Sequence, residues 1–346
     1  MTLITGSKPI GSPMPDPEHE KISKPARFPA PTEEEVELKP VKKVPFVKIE
    51  HTKVEFMPEF ERMEPKARDH TSVIAFKDCP RKYFYSIVLG FTDKNPPQFF
   101  KFGTAYHKFR EVLEKTFMET DDIPTSVSAG MEAGIESFGP TDPPVTDKYG
   151  FLTRQRLMAS MMYVAKLWKK EKKDGKIKVL GVEQPFEIVL ADGATTRGGK
   201  ADQFIKWNGM FYGRDFKTSS GSSGWYDRRI DPNDQFTGYT LGLQKLSNQP
   251  VQGLIVDVLF NTKTIAPKVQ QFIASRSQWQ LRQWEKEQGV VEQSITLCRD
   301  NDVWPMHEKS CYMCNFRSVC KKGSEKAQAA ALKAEYVQRE WDYKNL

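Results

Sequence analysis

Asp202, Asp215 and Lys217 bracket a single tight turn. The dipeptide Asn208-Gly209 favours a two-residue type I′ hairpin, and the aspartates stand six residues from it, one on either side. Antiparallel pairing around that turn puts Asp202 opposite Asp215, with Cβ atoms within about 5.5 Å. Like charges so placed repel, so the arrangement calls for a cation between them, and a hard divalent metal suits two carboxylates. Lys217, two residues beyond Asp215, falls on the same sheet face, where its ammonium can hold a water or a phosphate oxygen. The plainer alternative is a solvated hairpin carrying three polar residues.

A second chemical grouping lies near the C-terminus. Cys311-x2-Cys314-x5-Cys320 brings three thiols into one short stretch, a spacing typical of metal sites rather than of packing. The fourth ligand is open: His307, four residues before Cys311, would complete a local zinc site, and Cys298 is another choice.

These residues need elements to position them. Thr71-Ser72 before the apolar run Val73–Phe76 reads as a helix start. Helices are predicted over Gly103–Phe117, with Tyr106, Phe109, Leu113 and Phe117 in phase, and over Thr153–Lys173, with Leu157, Met161, Val164 and Trp168 in phase. Asp121–Asp147 between them is Pro/Gly-rich and reads as a loop or short helical insertion. Strands over 179–190, 199–207 and 210–218 form a meander, followed by the flexible Ser219–Gly224 loop and a helix over Gln235–Leu246. Val251–Phe260 reads as a buried strand, Val269–Ala274 as a further strand, and Ser277–Leu297 as a helix. Helices, a hairpin meander, a crossover helix and a buried strand together predict an α/β sandwich. Residues 1–66 alternate prolines and charges with few aliphatics and read as a disordered arm; 67–323 form the folded domain; 324–346 hold a charged helix, Lys326–Trp341.

The order of motifs resembles the PD-(D/E)XK nuclease superfamily, in its RecB-like branch. Gly199-Lys200-Ala201-Asp202 followed by Asp215-Phe216-Lys217-Thr218 looks like that branch's signature, with Ala201 where the name motif has Pro. The resemblance implies a restriction-endonuclease-like core, a mixed central sheet flanked by helices, over about Ser72 to Lys322. It further implies that Asp202 and Asp215 bind Mg2+ or Mn2+ while Lys217 assists the attacking water. His107, in Phe102-Gly103-Thr104-Ala105-Tyr106-His107, resembles the family's additional metal ligand, with the Phe216 carbonyl completing the set. Gln235-Phe236-Thr237-Gly238-Tyr239 resembles its Gln-x-x-x-Tyr motif, and Gln235 and Tyr239 share a helix face. Glu183 is a further acidic group to which an ordinary surface role is assigned. Cys79-Pro80-Arg81-Lys82-Tyr83 resembles the opening cysteine of iron-sulfur nucleases of the AddB type and of CRISPR-associated exonucleases. By that resemblance Cys79, Cys311, Cys314 and Cys320 hold a 4Fe-4S cluster in a subdomain built from N- and C-terminal segments, with zinc the alternative, because spacing alone does not choose. Cys298 is left over as a buried thiol.

Composition narrows the class. The 346 residues carry a formal charge of +7, which favours a polyanionic partner, and no apolar run approaches a membrane span or a secretory signal. A cytoplasmic setting follows, in a bacterial, archaeal or phage-infected cell. Arg81, Lys82, Tyr83, Tyr85, Phe316 and Arg317 mix cations with rings, either as a single-strand surface or as core aromatics with solvated charges. Trp225, Tyr226, Arg228 and Arg229 are further DNA-contact candidates. The implied function is a metal-dependent DNA exonuclease acting on single strands or duplex ends, with a helicase or recombination partner. The alternative is a catalytically silent nucleic-acid-binding adaptor that keeps the fold and the cluster.

Overall fold

In the computed structural model, which describes residues 56–342 apart from 64, 66, 145, 146, 222, 223, 225 and 227, the hairpin forms about Asn208 and Gly209. Both adopt positive φ, 48° and 83°, as a type I′ turn requires. The turn joins β3 (Thr196–Trp207) to β4 (Met210–Ser219), and the register follows the predicted centre, Trp207 facing Met210 and Gln203 facing Arg214.

A five-stranded sheet grows around this hairpin. β2 (Ile177–Val189) pairs antiparallel with β3, β5 (Val251–Phe260) runs parallel to β4, and β6 (Lys268–Ser275) returns antiparallel to β5. The sheet is therefore mixed, and the one parallel pairing is made by the crossover helix α6 (Asp234–Ser247). On one face, α3 (Gln98–Thr120), α4 (Ile123–Phe138) and α5 (Arg154–Asp174) enclose a core containing Phe102, Phe109, Leu157, Trp168, Phe216 and Leu259. On the other, α6 and α7 (Gln278–Asn301) cover Phe186, Ile188 and Leu190 through Leu241, Leu281 and Trp284. The expected α/β core with helices flanking a mixed sheet is what forms.

Three elements depart from the sequence reading. The first helix, α1 (His70–Asp78), is capped by Asp69, whose carboxylate accepts from Thr71 N and Ser72 N; Thr71 lies inside its first turn. Residues 121–147 contain a sixteen-residue helix, α4, capped by Asp122. Its Gly130 and Gly134 lie so close to α3 that an added Cβ would stand 3.0 Å from Leu113 Cβ or from Phe109 Cβ. Helix-weakening glycines are here the condition for helix packing, which is why composition reads the segment as a loop or only a short helical insertion. The C-terminal helix α8 (Glu325–Glu335) is shorter than expected, because Tyr336–Gln338 becomes β7 and pairs antiparallel with β1 (Phe91–Asp93).

That pairing belongs to a second core. Chain leaving α1 passes through α2 (Pro80–Tyr83) into a π-helical turn, Phe84–Val88. Tyr83, Phe84, Tyr85 and Val88 are fully buried there against Trp304, Phe316, Val319 and Leu332 from the other end of the sequence. The expected subdomain of N- and C-terminal segments thus has a hydrophobic body of its own. Of the expected disordered arm, residues 1–55 lie outside the described residues; Met57 and Phe60 are buried in this second core. Among the described residues no helix is long and apolar enough to cross a membrane.

Asp234 ties α6 to its neighbours. Its Oδ1 accepts from Lys77 Nζ of α1 at 2.6 Å and from Trp284 Nε1 and Gln288 Nε2 of α7 at 3.0 and 3.2 Å, and Oδ2 faces His70 Nδ1 at 3.2 Å. Burial opposes the charge, but these partners outweigh it and hold the carboxyl well below the usual range. Its contribution to stability is therefore complete above the unfolded pKa of about 3.9 and fades as pH falls below it. Asp234→Asn is expected to cost about 1–3 kcal/mol at neutral pH, and the gap from the unaltered protein to narrow in thermal melts as pH falls from about 4 to about 2. A gap that stays constant with pH would show that Asp234 is not the linked group.

Candidate active site

The β3–β4 ladder stops one residue short of the aspartates. Gln203 faces Arg214, and beyond that pair β4 continues only with β5, where Asp215 faces Val256. Asp202 Oδ2 instead accepts the backbone N–H of Phe216 at 2.6 Å. The splay has a physical reason: a continued ladder would put two buried carboxylates side by side, whereas the displaced strand supplies a backbone donor to one of them.

Side-chain alternation along β4 sorts the site from its support. Phe216 points into the core beneath α3 and α5, where the Arg110 guanidinium lies 4.0 Å from its ring centroid and that of Arg214 at 5.4 Å. Arg214 is clamped by Asp257 at 2.8 Å and by both oxygens of Glu171 at 2.9 and 2.8 Å. Asp215 and Lys217 point away from that core and pair with each other, Nζ to Oδ2 at 2.8 Å. Tyr239 of α6 stands within electrostatic reach of both, its hydroxyl hydrogen-bonded to Gln235. Gly199 of the Gly-x-x-Asp motif makes this possible: an added Cβ would lie 2.4 Å from Phe186 Cζ and 3.0 Å from Tyr239 Cε1.

His107 reaches the site from α3, its Nδ1 3.4 Å from Asp202 Oδ2. Burial works against its charge, but Asp202 outweighs burial and raises its pKa. Asp202 is likewise opposed by burial, yet His107, Lys217 and the Phe216 amide hold its carboxyl below the ordinary range. Asp215 moves the other way, lifted by burial and by the Asp202 charge despite Lys217. The Lys217 ammonium is favoured by Asp215 and Asp202 over the cost of burial, which keeps it protonated. Two carboxylates with opposite shifts beside a fixed ammonium form an environment suited to polar catalysis.

Asp202, Lys217 and His107 line one cleft of about 690 Å³, together with Glu111, Glu183 and Lys200. Glu183 has a larger place here than its sequence reading gave it. It pairs with Lys200 at 2.8 Å, sits at a positive φ of 51°, and is raised by burial and by Asp202. A left-handed backbone at a non-glycine residue inside a strand leaves no trace in composition. Asp215 Oδ2 is buried and accepts no hydrogen bond, the Lys217 ion pair apart. Among the described residues, no three His, Cys, Asp or Glu side chains stand close enough together to hold a metal ion.

The cysteines occupy the second core. Cys79 starts α2, and its Sγ receives the His307 N–H at 3.5 Å and lies 3.8 Å from Pro305 O, which sets it against the C-terminal cysteine segment. Cys314 and Cys320 each feel Cys79 and Cys311 electrostatically; burial, opposed by Arg81 and reinforced by the other thiols, pushes Cys320 up to about 11. Cys298 is raised by burial alone and has no thiol neighbour of that kind. His307 Nδ1 faces Asp78 O at 3.1 Å. Of the mixed cations and rings nearby, Tyr83, Tyr85 and Phe316 are core residues, each no more than 1% exposed, and Arg81 is spent on Trp304 O at 3.0 Å. The rings therefore follow the core-aromatic reading, with Lys82 paired to Asp78 and Arg317 exposed. Tyr226 packs on Phe260 and Phe272, Arg228 and Arg229 are exposed, and Trp225 lies outside the described residues.

The close fit of Gly199 sets a test. Gly199→Ala must displace Phe186 or Tyr239, and is expected to lower stability by about 1–3 kcal/mol in denaturant unfolding. Unchanged stability would mean that the rings move aside freely and that the glycine is not required for this packing.

Among solved structures, a protein of Eubacterium rectale described as a candidate exonuclease shares 12% identity over 77% of this chain and 93% of its own, with a TM-score of 0.42. The protein SSO0001 shares 11% identity over 62% of this chain and 84% of its own, with a TM-score of 0.26. Both are too distant to inform the site. No curated protein sequence matches the chain. The family model of the PD-(D/E)XK nuclease superfamily matches residues 70–321, which span the sheet, α3 and its histidine, both aspartates, Lys217 and all five cysteines. With well over half of its length matched, the chain belongs to the PD-(D/E)XK nuclease superfamily.

Proposed function

We propose that this chain is a metal-dependent deoxyribonuclease of the RecB-like branch, an exonuclease that hydrolyses phosphodiester bonds to 5′-phosphate products at single strands or duplex ends. The observation that carries this reading is the meeting of Asp202, Asp215 and Lys217 at the splayed end of the hairpin, where the buried Asp215 carboxylate is paired with the Lys217 ammonium. Two carboxylates converging at one point are the hard oxygen donors that Mg2+ or Mn2+ takes. Asp202 and Asp215 would hold the ion, with His107 and the Phe216 carbonyl as the remaining candidate ligands. When bound, the metal supplies Lewis-acid polarisation of the phosphodiester and a more acidic water.

The chain's own groups do the rest. Lys217, fixed between Asp215 and Tyr239, orients the attacking water and offsets the negative charge that develops on the phosphate. Gln235 holds the Tyr239 hydroxyl and so limits where the ammonium can point. The exposed Arg228 and Arg229 contribute phosphate contacts. A role in recombination, repair or phage DNA metabolism, with a helicase or recombination partner in the cytoplasm, accords with this chemistry.

Cys79, Cys311, Cys314 and Cys320 we assign to a 4Fe-4S cluster, with zinc as the alternative. Cys314 and Cys320 lie within electrostatic reach of Cys79 and Cys311, whereas Cys298 is influenced by burial alone.

Two experiments test these assignments. End-labelled single- and double-stranded DNA, incubated with Mg2+ or Mn2+, is expected to be cleaved by the unaltered protein and on the order of a hundredfold or more slowly by Asp215→Ala. Undiminished cleavage by the variant, or DNA binding without cleavage by the cluster-loaded protein, would favour the adaptor. Anaerobically purified protein is expected to show broad visible absorption that Cys79→Ser loses together with thermal stability; a colourless, zinc-containing protein would replace the cluster by zinc.

A further inference from the structure

The cleft lined by Asp202, His107 and Lys217 has an aromatic lip. Phe99 and Phe100, in the first turn of α3, are 38% and 58% exposed, and both line the cleft with His107 and Lys217. Exposed adjacent phenylalanines are costly unless something covers them. Their exposure is enforced rather than incidental: Gln98 beside them is buried and donates to Leu152 O at 3.0 Å, and Pro97 caps the helix, so the first turn is fixed with both rings turned outward. The rings lie 4.4 Å apart at 35°, and Tyr149 meets Phe99 edge-on at 5.1 Å with the Lys148 ammonium 5.2 Å from its own ring.

The geometry points to a base-stacking subsite: Phe99 and Phe100, buttressed by Tyr149, take the unpaired nucleobases of a single DNA strand leading into the catalytic cleft. This rests on the nuclease reading and names the form of DNA that the site selects. Phe99/Phe100, Gly103/Thr104 and His107/Lys108 form one stripe along α3, so the backbone positions of the two phenylalanines lie about 11 Å from that of His107 along the helix axis, or about three stacked base steps of 3.4 Å. Phe rings offer faces to any base without reading its edges, so the subsite selects for unpaired strands and not for sequence. Bases in a duplex are covered by their neighbours and cannot meet the rings without unpairing. Lys148, exposed and against the Tyr149 ring, stands ready for a phosphate; Lys108 is shared with Glu111 at 3.1 Å. Phe100 also borders a second cavity of about 620 Å³, bounded by Lys82, Thr92, Arg339 and Trp341, which gives the strand beyond the rings a path away from the carboxylates.

The test is binding in EDTA, where cleavage does not intervene. Fluorescent single-stranded oligonucleotides with normal or abasic nucleotides, and blunt duplexes, are titrated with the unaltered protein, with Phe99→Ala/Phe100→Ala and with Phe100→Trp. The expectation is that the double variant loses about tenfold or more in single-strand affinity and less than about twofold for duplex, while Phe100→Trp retains single-strand binding. The unaltered protein is expected to bind abasic strands about as weakly as the double variant binds normal ones, a comparison that needs no variant to fold. Equal affinity for normal and abasic strands, or equal losses for single strand and duplex, overturns the subsite whatever the cleavage assay gives. Discrimination against abasic strands in a protein whose Asp215→Ala variant cleaves as well as the original would leave the subsite standing and remove the nuclease reading instead.

Discussion

Two buried carboxylates cannot share a continuous β-ladder, and the rest of the site follows from how the chain resolves this. The hairpin turn brings Asp202 and Asp215 level with each other, and the ladder then parts after Gln203 and Arg214 so that Asp202 takes the Phe216 amide. The parting opens an edge in the middle of a sheet, where a backbone donor, two acids and an ammonium meet without any of them being fully exposed to water. Closing the ladder would satisfy more backbone but would leave the charges uncompensated.

Such an opening needs a rigid margin. On the covered side of β4, Phe216 is pressed beneath the Arg110 and Arg214 guanidiniums, and Arg214 is held in turn by Asp257 and Glu171. Glu114, almost fully buried, joins α3 to α5 and the sheet by accepting from Trp168 Nε1 at 2.8 Å, from Lys172, and from Gln203 Nε2 at 3.4 Å. Buried charge of this kind adds little net stability, because desolvation offsets the attraction, but it admits few alternative arrangements. The consequence is positional: α3 is fixed relative to β3 just where His107 must meet Asp202.

Much of this was legible before any coordinates. Asn208-Gly209 set the hairpin and its register, alternation set β2 through β4, and the unbroken apolar run Val251–Phe260 set the buried strand with its bounds unchanged. The motif residues Asp202, Asp215, Lys217 and His107 also converge. What escaped has a common cause: it depends on contacts between segments rather than on local pattern. α4 is helical because α3 accepts its glycines at close range. Tyr336–Gln338 is a strand because Phe91–Asp93 lies beside it. Glu183 enters the cleft because a left-handed residue turns up within β2, and Phe99 and Phe100 face outward because Gln98 is anchored to a distant loop. In each of these the local preference is weak or contrary, and tertiary packing decides.

The second core has a consequence for how the molecule is made. Its aromatic residues between Tyr83 and Phe91 are translated early, but the surfaces that bury them, Trp304, Phe316, Leu332 and the β7 strand, come from the last part of the sequence. Throughout synthesis of the sheet and its helices, therefore, a run of adjacent large apolar side chains has only earlier residues such as Met57, Phe60 and Phe76 to pack on. Incompletely covered apolar surface of this kind is prone to aggregate until the last segment arrives.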